Sequence, residues 1–137
     1  MKKYYILLVA ISILVLAGCV PNLVVQSAKI DFTAKTVDVT VMNNGNKDAG
    51  AHLTYIEINQ VGVADSAKPQ SQYSAKVDGI KAGSSWISGP IPFSSFSSPR
   101  GLDLFNLTAA NLVVRVDAKN MVEESNENDN IYDVNLP

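Results

Sequence analysis

Apolar and polar residues alternate along most of this chain with the two-residue period of a half-buried strand. The clearest case is Thr36 to Met42, where Val37, Val39 and Val41 share one face and Thr36, Asp38 and Thr40 the other. That run ends in Asn43-Asn44-Gly45-Asn46, a set of residues that tolerates positive φ and turns the chain. His52 to Asn59 predicts a second strand, whose inward face is left open because Tyr55 and Ile56 are adjacent and both apolar. Leu112 to Asp117 predicts a third, with Leu112, Val114 and Val116 inward and Val113 and Arg115 on the opposite face. Shorter strands are expected at Leu23 to Ile30, Tyr73 to Val77 and Ile131 to Leu136, and another after the turn Lys81-Ala82-Gly83, near Trp86. Nowhere after the first residues do apolar positions recur at i, i+3, i+4 and i+7, so helices are not expected there.

About seven short strands separated by polar turns fit an all-β, immunoglobulin-like antiparallel β-sandwich. Trp86 is expected as an anchor between its sheets. Gly89 to Ala110 breaks the rhythm, with Pro90, Pro92, Pro99 and the run Ser94-Ser95-Phe96-Ser97-Ser98, and predicts a loop or an irregular edge. Leu102, Leu104, Phe105 and Leu107 in this stretch are expected to fold back onto the core. Phe93 and Phe96 are either exposed partner contacts, since aromatic side chains dominate binding hot spots, or partly buried under the loop.

The first residues follow another rule. Lys2 and Lys3 precede an apolar run from Tyr4 to Leu16, then Ala17, Gly18 and the only cysteine, Cys19. A basic start, an apolar stretch and small residues before a cut point make a secretory signal, expected here as a helical segment. The apolar run is short for a bilayer span, which needs ~20 residues. Leu16-Ala17-Gly18-Cys19 resembles the bacterial lipobox. That resemblance implies cleavage after residue 18, a diacylglyceryl thioether on Cys19 and often a third acyl chain on the new amino terminus. Two or more acyl chains hold a protein stably on a membrane. The chain then divides into a cleaved lipoprotein signal peptide at 1–18, a lipidated N-terminus with a short linker at 19–22, and one domain at 23–137. Val20, not Asp, follows the cysteine. In a cell with two membranes this resembles the pattern sent to the outer membrane; in either case the domain is expected on an extracytoplasmic face.

Composition narrows the function. Without Lys2 and Lys3 there are 9 basic and 13 acidic residues, a net charge of −4. Nucleic-acid phosphates need neutralising by Lys and Arg, and no basic stripe is present, so nucleic acid is not an expected partner. A single cysteine allows no disulfide within the chain, and the fold must stand on its apolar core. His52 is the only histidine and is expected as an ordinary surface or edge residue. No glycine-rich phosphate loop and no marked carboxylate pair accompany it, which argues against an enzyme.

The densest polar segment is Glu123-Glu124-Ser125-Asn126-Glu127-Asn128-Asp129-Asn130. Its Asn and Asp side chains suit a turn held by bonds to its own backbone. Were it to hold calcium, Asp117, Glu124, Glu127, Asn128 and Asp129 would supply the oxygens, but the central Gly and distant Glu of a calcium loop are missing, and no metal is expected.

Four motifs resemble the CARDB family, the cell-adhesion-related domains of bacteria. Val114-Arg115-Val116-Asp117 followed by Val122, Glu124, Ser125, Asn126, Glu127 and Asn130 matches its terminal pattern, with Asp129 as a departure. Pro21-Asn22-Leu23-Val24-Val25 is similar to its opening, and Val37-Asp38-Val39-Thr40-Val41-Met42-Asn43-Asn44-Gly45 to its strand and turn. Ile80-Lys81-Ala82-Gly83-Ser84-Ser85 resembles a further turn. Gly89 to Ala110 is longer than the family pattern. The resemblance implies an immunoglobulin-like sandwich used for display or adhesion. The expected function is therefore a non-catalytic, membrane-anchored module that recognises protein or polysaccharide, or else an accessory lipoprotein of an envelope assembly. No cofactor beyond the lipid on Cys19 is expected. An unpaired sheet edge leaves self-association open.

Overall fold

The computed structural model describes residues 19–63 and 69–137. The expected signal peptide at 1–18 lies outside the described residues. Among the described residues, eight strands form two antiparallel sheets: β1 (Leu23–Asp31), β2 (Thr36–Asn43), β3 (His52–Asn59), β4 (Ser71–Val77), β5 (Ser85–Ile87), β6 (Ile91–Pro92), β7 (Ala110–Arg115) and β8 (Ile131–Leu136). One sheet runs β1-β2-β5, with β6 also paired to β2; the other runs β4-β3-β7-β8. All pairings are antiparallel. The expected immunoglobulin-like sandwich is what forms.

The core is the sum of the inward faces. Val37, Val39 and Val41 of β2 meet Ile56 and Ile58 of β3 and Leu112 and Val114 of β7, all essentially without solvent contact. β1 needs a correction to keep its apolar residues inside. Leu23 and Val25 face the core at odd positions, but Ala28 and Ile30 face it at even ones. A register shift between Val25 and Ser27 absorbs the change. A β-bulge of this kind reverses which parity points inward, and here it follows from where the apolar residues fall.

β3 settles the parity its sequence left open. Ile56 and Ile58 point inward, and so on the same face do His52 and Thr54. His52 is therefore a core residue and not a surface one, 1% exposed, with Nδ1 2.9 Å from the Gly50 carbonyl. The opposite face of this sheet mixes polar side chains with Leu53, Tyr55 and Val113. Glu57, only 2% exposed, accepts from Arg115 Nε at 3.2 Å. Asn59, Asn111 and Asn135 stand in register across three strands, and Asn111 Nδ2 donates to Asp133 at 2.6 Å.

The irregular stretch folds as two 3-10 turns, Phe93–Ser95 and Leu104–Asn106, joined to the sheets at a few points. Phe93 N donates to the Lys35 carbonyl at 2.9 Å, and Ser97 and Gln72 exchange backbone bonds at 2.8 and 2.9 Å. Of the two readings of Phe93 and Phe96, burial under the loop is the one that forms: they are 2% and 9% exposed and are not surface contacts. The loop closes over the end of the sandwich, where apolar rings gain more from leaving water than from facing it. Phe93 packs edge-on against Phe105, and Phe96 against Tyr73. Leu104 folds inward as expected, whereas Phe105 stays 53% exposed. Trp86 is half-buried at the edge of the core, so it anchors one margin and not the centre.

Candidate functional site

Strand direction sorts the connections onto two poles. β1 and β8 run away from the pole where β7 ends, so residues 20–22, 43–51, 78–84 and 116–130 lie together at one end. Residues 32–35, 60–63, 69–70 and 92–109 belong to the other. We call these the tether pole and the far pole, because Cys19, the exposed residue at which a lipid is expected, adjoins the first.

At the tether pole, two turns hold the start of the chain between them. Asn43, fully buried at the end of β2, is the first clasp. Its Oδ1 accepts from Asn22 N and from Gly45 N, each at 3.0 Å. Its Nδ2 donates to the Lys47 carbonyl at 2.8 Å and to the Ile80 carbonyl at 3.0 Å. That uses an amide's two donors and both acceptor sites. Asn44 N then donates to the Asn22 carbonyl at 2.7 Å. Gly45 is required here, since a Cβ on it would sit 2.4 Å from the Val20 carbonyl oxygen and 2.6 Å from Asn22 N.

The acidic turn is the second clasp. Glu124 Oε2 accepts from Leu23 N, and Oε1 from Asn130 Nδ2 at 3.0 Å. The same Asn130 nitrogen donates to Glu127 Oε2 at 3.1 Å, and Glu127 Oε1 accepts from Glu124 N at 3.0 Å. Ser125 N donates to the Pro21 carbonyl at 3.1 Å and Ser125 Oγ to Asn22 Oδ1 at 3.1 Å. Asn22 Nδ2 completes the contact by donating to Asp129 Oδ2 at 3.2 Å. Residues 20–22, expected as a linker, are instead part of the fold, with Pro21 buried. Burial pushes the Glu124 carboxyl up to about 7, against the pull of its bonds to Leu23 and Asn130.

Of the candidate calcium residues, Glu124 and Glu127 come together on Asn130 Nδ2, with Asp117 close enough to act on the Glu124 charge. Asp117, at φ 45, spends both oxygens on Met121 N and Val122 N at 2.8 Å, stapling the turn after β7. Asn128 N donates to Asn126 Oδ1. Glu124, Glu127 and Asp129 Oδ2 accept from N–H groups as described, while Asp129 Oδ1 and Asn130 Oδ1 are buried without a partner. Among the described residues, no three acidic, histidine or cysteine side chains come together in a metal-binding arrangement.

The far pole carries an open groove of about 340 Å³, lined by polar groups that include Gln60, Gln70, Arg100, Asp103 and Asn106. Asp103 caps the second 3-10 turn, accepting from Phe105 N at 3.0 Å and Asn106 Nδ2 at 2.6 Å. Gln70 Oε1 accepts from Gln60 N at 2.6 Å. Val61, Val63 and Phe105 stand exposed on this pole. The sequence pointed to its phenylalanines but not to this groove, because bonds between residues 60, 70 and 103–106 leave no periodic trace.

The profile of the CARDB family matches residues 19–134. Among solved structures, a domain of a cell surface protein from Methanosarcina acetivorans is similar, with a TM-score of 0.57, 21% identity, and coverage of 85% of this chain and 90% of that one. A CARDB domain of Pyrococcus furiosus, solved in complex with di-metal ions, gives a TM-score of 0.53 at 16% identity, covering 86% of this chain and 93% of that one. At these identities the likeness is one of fold. No curated protein matches the sequence.

Proposed function

The chain belongs to the CARDB family of adhesion-related, immunoglobulin-like domains, and from that premise we propose that it is a lipid-anchored extracytoplasmic binding module without a catalytic centre. One observation carries the reading: Cys19 is exposed and immediately precedes a segment locked into the sandwich. A diacylglyceryl thioether there would hold the domain on the membrane with no other cofactor. In a two-membrane cell the anchor lies in the outer membrane. The ligand is an extracytoplasmic protein or a polysaccharide, not a nucleic acid.

The acidic turn serves this module as a structural clasp. Glu124, Glu127 and one oxygen of Asp129 are engaged by backbone and amide N–H groups, whereas Asp129 Oδ1 and Asn130 Oδ1 are buried without a partner. The Pyrococcus domain was solved in complex with di-metal ions; among the described residues here no three acidic, histidine or cysteine side chains meet in a metal-binding arrangement, and we read the turn as metal-free.

Metabolic labelling with an alkyne palmitate analogue tests the anchor. The expected result is label on the wild type, none on Cys19→Ala, and transfer of the variant from membrane to soluble fractions. Unlabelled wild-type protein would end this reading. Retention of the domain on insoluble cell-wall material supports polysaccharide recognition. Exposed Val61, Val63 and Phe105 favour a second reading, an accessory subunit of an envelope assembly. That reading requires one stoichiometric partner in pull-downs, lost with Phe105→Ala.

A further inference from the structure

We propose that the domain stands upright on its bilayer, with the tether pole resting on the phospholipid headgroups and the far-pole groove held away from them. The inference rests on the lipid anchor at Cys19 and adds to it an orientation.

The length of free chain is what decides it. A thioether at Cys19 fixes that residue at headgroup level, and only Val20 separates it from Pro21. An extended chain spans at most ~3.3–3.6 Å per residue, so Pro21 lies within roughly 7 Å of the anchor. From Pro21 onward there is no hinge. The Pro21 carbonyl, the Asn22 backbone and side chain, and Leu23 N are all bonded to the two turns of this pole. The close approach of Gly45 to Val20 and Asn22 leaves no room for them to slide. A sandwich so short-tethered cannot lie far from the membrane, and its strands start at the anchor. Eight residues of β2 at ~3.3 Å each put the far pole about 26 Å further out.

The occupant of the tether pole is thus the headgroup layer itself. Segments 43–51, 78–84 and 116–130 contain seven acidic residues (Asp48, Asp78, Asp117, Glu123, Glu124, Glu127, Asp129) and three basic ones (Lys47, Lys81, Lys119). Attraction to anionic lipid therefore does not hold this surface down. The tether does, and the placement is expected on zwitterionic lipid as well.

The test uses the full acylated protein, purified from membranes and returned to phosphatidylcholine vesicles containing a small fraction of nickel-chelating lipid. Acylation of Cys19 leaves an introduced cysteine as the only free thiol. Asn46→Cys and Met121→Cys report from the tether pole, Ser94→Cys and Thr108→Cys from the far pole, each carrying a nitroxide. The expected result is a several-fold stronger nickel relaxation at positions 46 and 121 than at 94 and 108. Inserting ten Gly/Ser residues after Val20, a spacer of roughly 17 Å root-mean-square length, should abolish most of that contrast while leaving the fold untouched. Equal relaxation at both poles, stronger relaxation at 94 and 108, or a contrast that survives the spacer would overturn the upright placement. Protein that fails to sediment with the vesicles, or that shows a free thiol at Cys19, would instead remove the lipid anchor, and the orientation with it.

Discussion

Replacing Asn43 by alanine should cost this domain a large share of its stability, although the side chain is small and polar. Asn43 is 0% exposed and makes four side-chain hydrogen bonds, to Asn22 N, Gly45 N, and the Lys47 and Ile80 carbonyls. A typical bond contributes ~1 kcal/mol net, and a buried partner left unsatisfied costs ~1–3 kcal/mol. The Ile80 carbonyl is the fully buried partner, while water can reach the others in part. The sum is about 4 kcal/mol, against a total of ~5–15 kcal/mol for a domain of ordinary stability. With a urea m-value of ~1.5 kcal/mol/M, the unfolding midpoint should fall by roughly 2–3 M. The measurement is urea unfolding of the fragment from Val20 onward, followed by tryptophan fluorescence, with Asn44→Ala as the control. Asn44 is exposed, and its substitution should change stability by at most ~0.5 kcal/mol. Asn43→Asp should be no better than alanine, because a carboxylate has no N–H to give the two carbonyls. A midpoint shift below about 0.5 M for Asn43→Ala would refute the reasoning.

The Glu124 carboxyl is raised from 4.5 to about 7 when folded, so the native state binds its proton more tightly than the unfolded chain. The stability it contributes is fully present below pH 4.5 and lost as pH rises through about 7. Glu124→Gln should flatten that fall in urea midpoints measured from pH 5 to 8; a variant with the wild-type slope would show that another group titrates. Arg115→Ala should destabilise by about 3 kcal/mol, because it strands the buried Glu57 carboxylate. Glu57→Gln combined with Arg115→Met should recover part of that loss, and a double variant as unstable as the sum of the singles would contradict the pairing. The melting temperature should be the same in millimolar calcium and in chelator, since a cation that bound the native state would raise it.

Much of the sandwich was legible because strand faces leave a local mark. Val37, Val39 and Val41 alternate with polar residues, and so do Leu112, Val114 and Val116, and each set is in the core. Where two apolar residues adjoin, the mark fails. Tyr55 next to Ile56 hid the parity of β3, and with it the burial of His52. The far pole was unreadable for a different reason: prolines and serines erase periodicity, so whether Phe93 and Phe96 faced water depended on a loop closing over them. The clasp at the tether pole was partly visible as turn chemistry in Asn43-Asn44-Gly45 and in the acidic run. Its purpose was not. The bonds from Leu23 to Glu124 and from Asn22 to Asp129 span 101 and 107 residues, and no short-range pattern announces a contact of that separation.

Amide relaxation by NMR at Asn22 and Leu23 tests the whole picture at its narrowest point. If the segment after Cys19 is built into the β-layers, these amides should have order parameters near ~0.85, like those of β2 and β7. Values below ~0.6 would mean a loose leader ahead of a freely tumbling domain, and the account of a rigidly mounted module would be wrong.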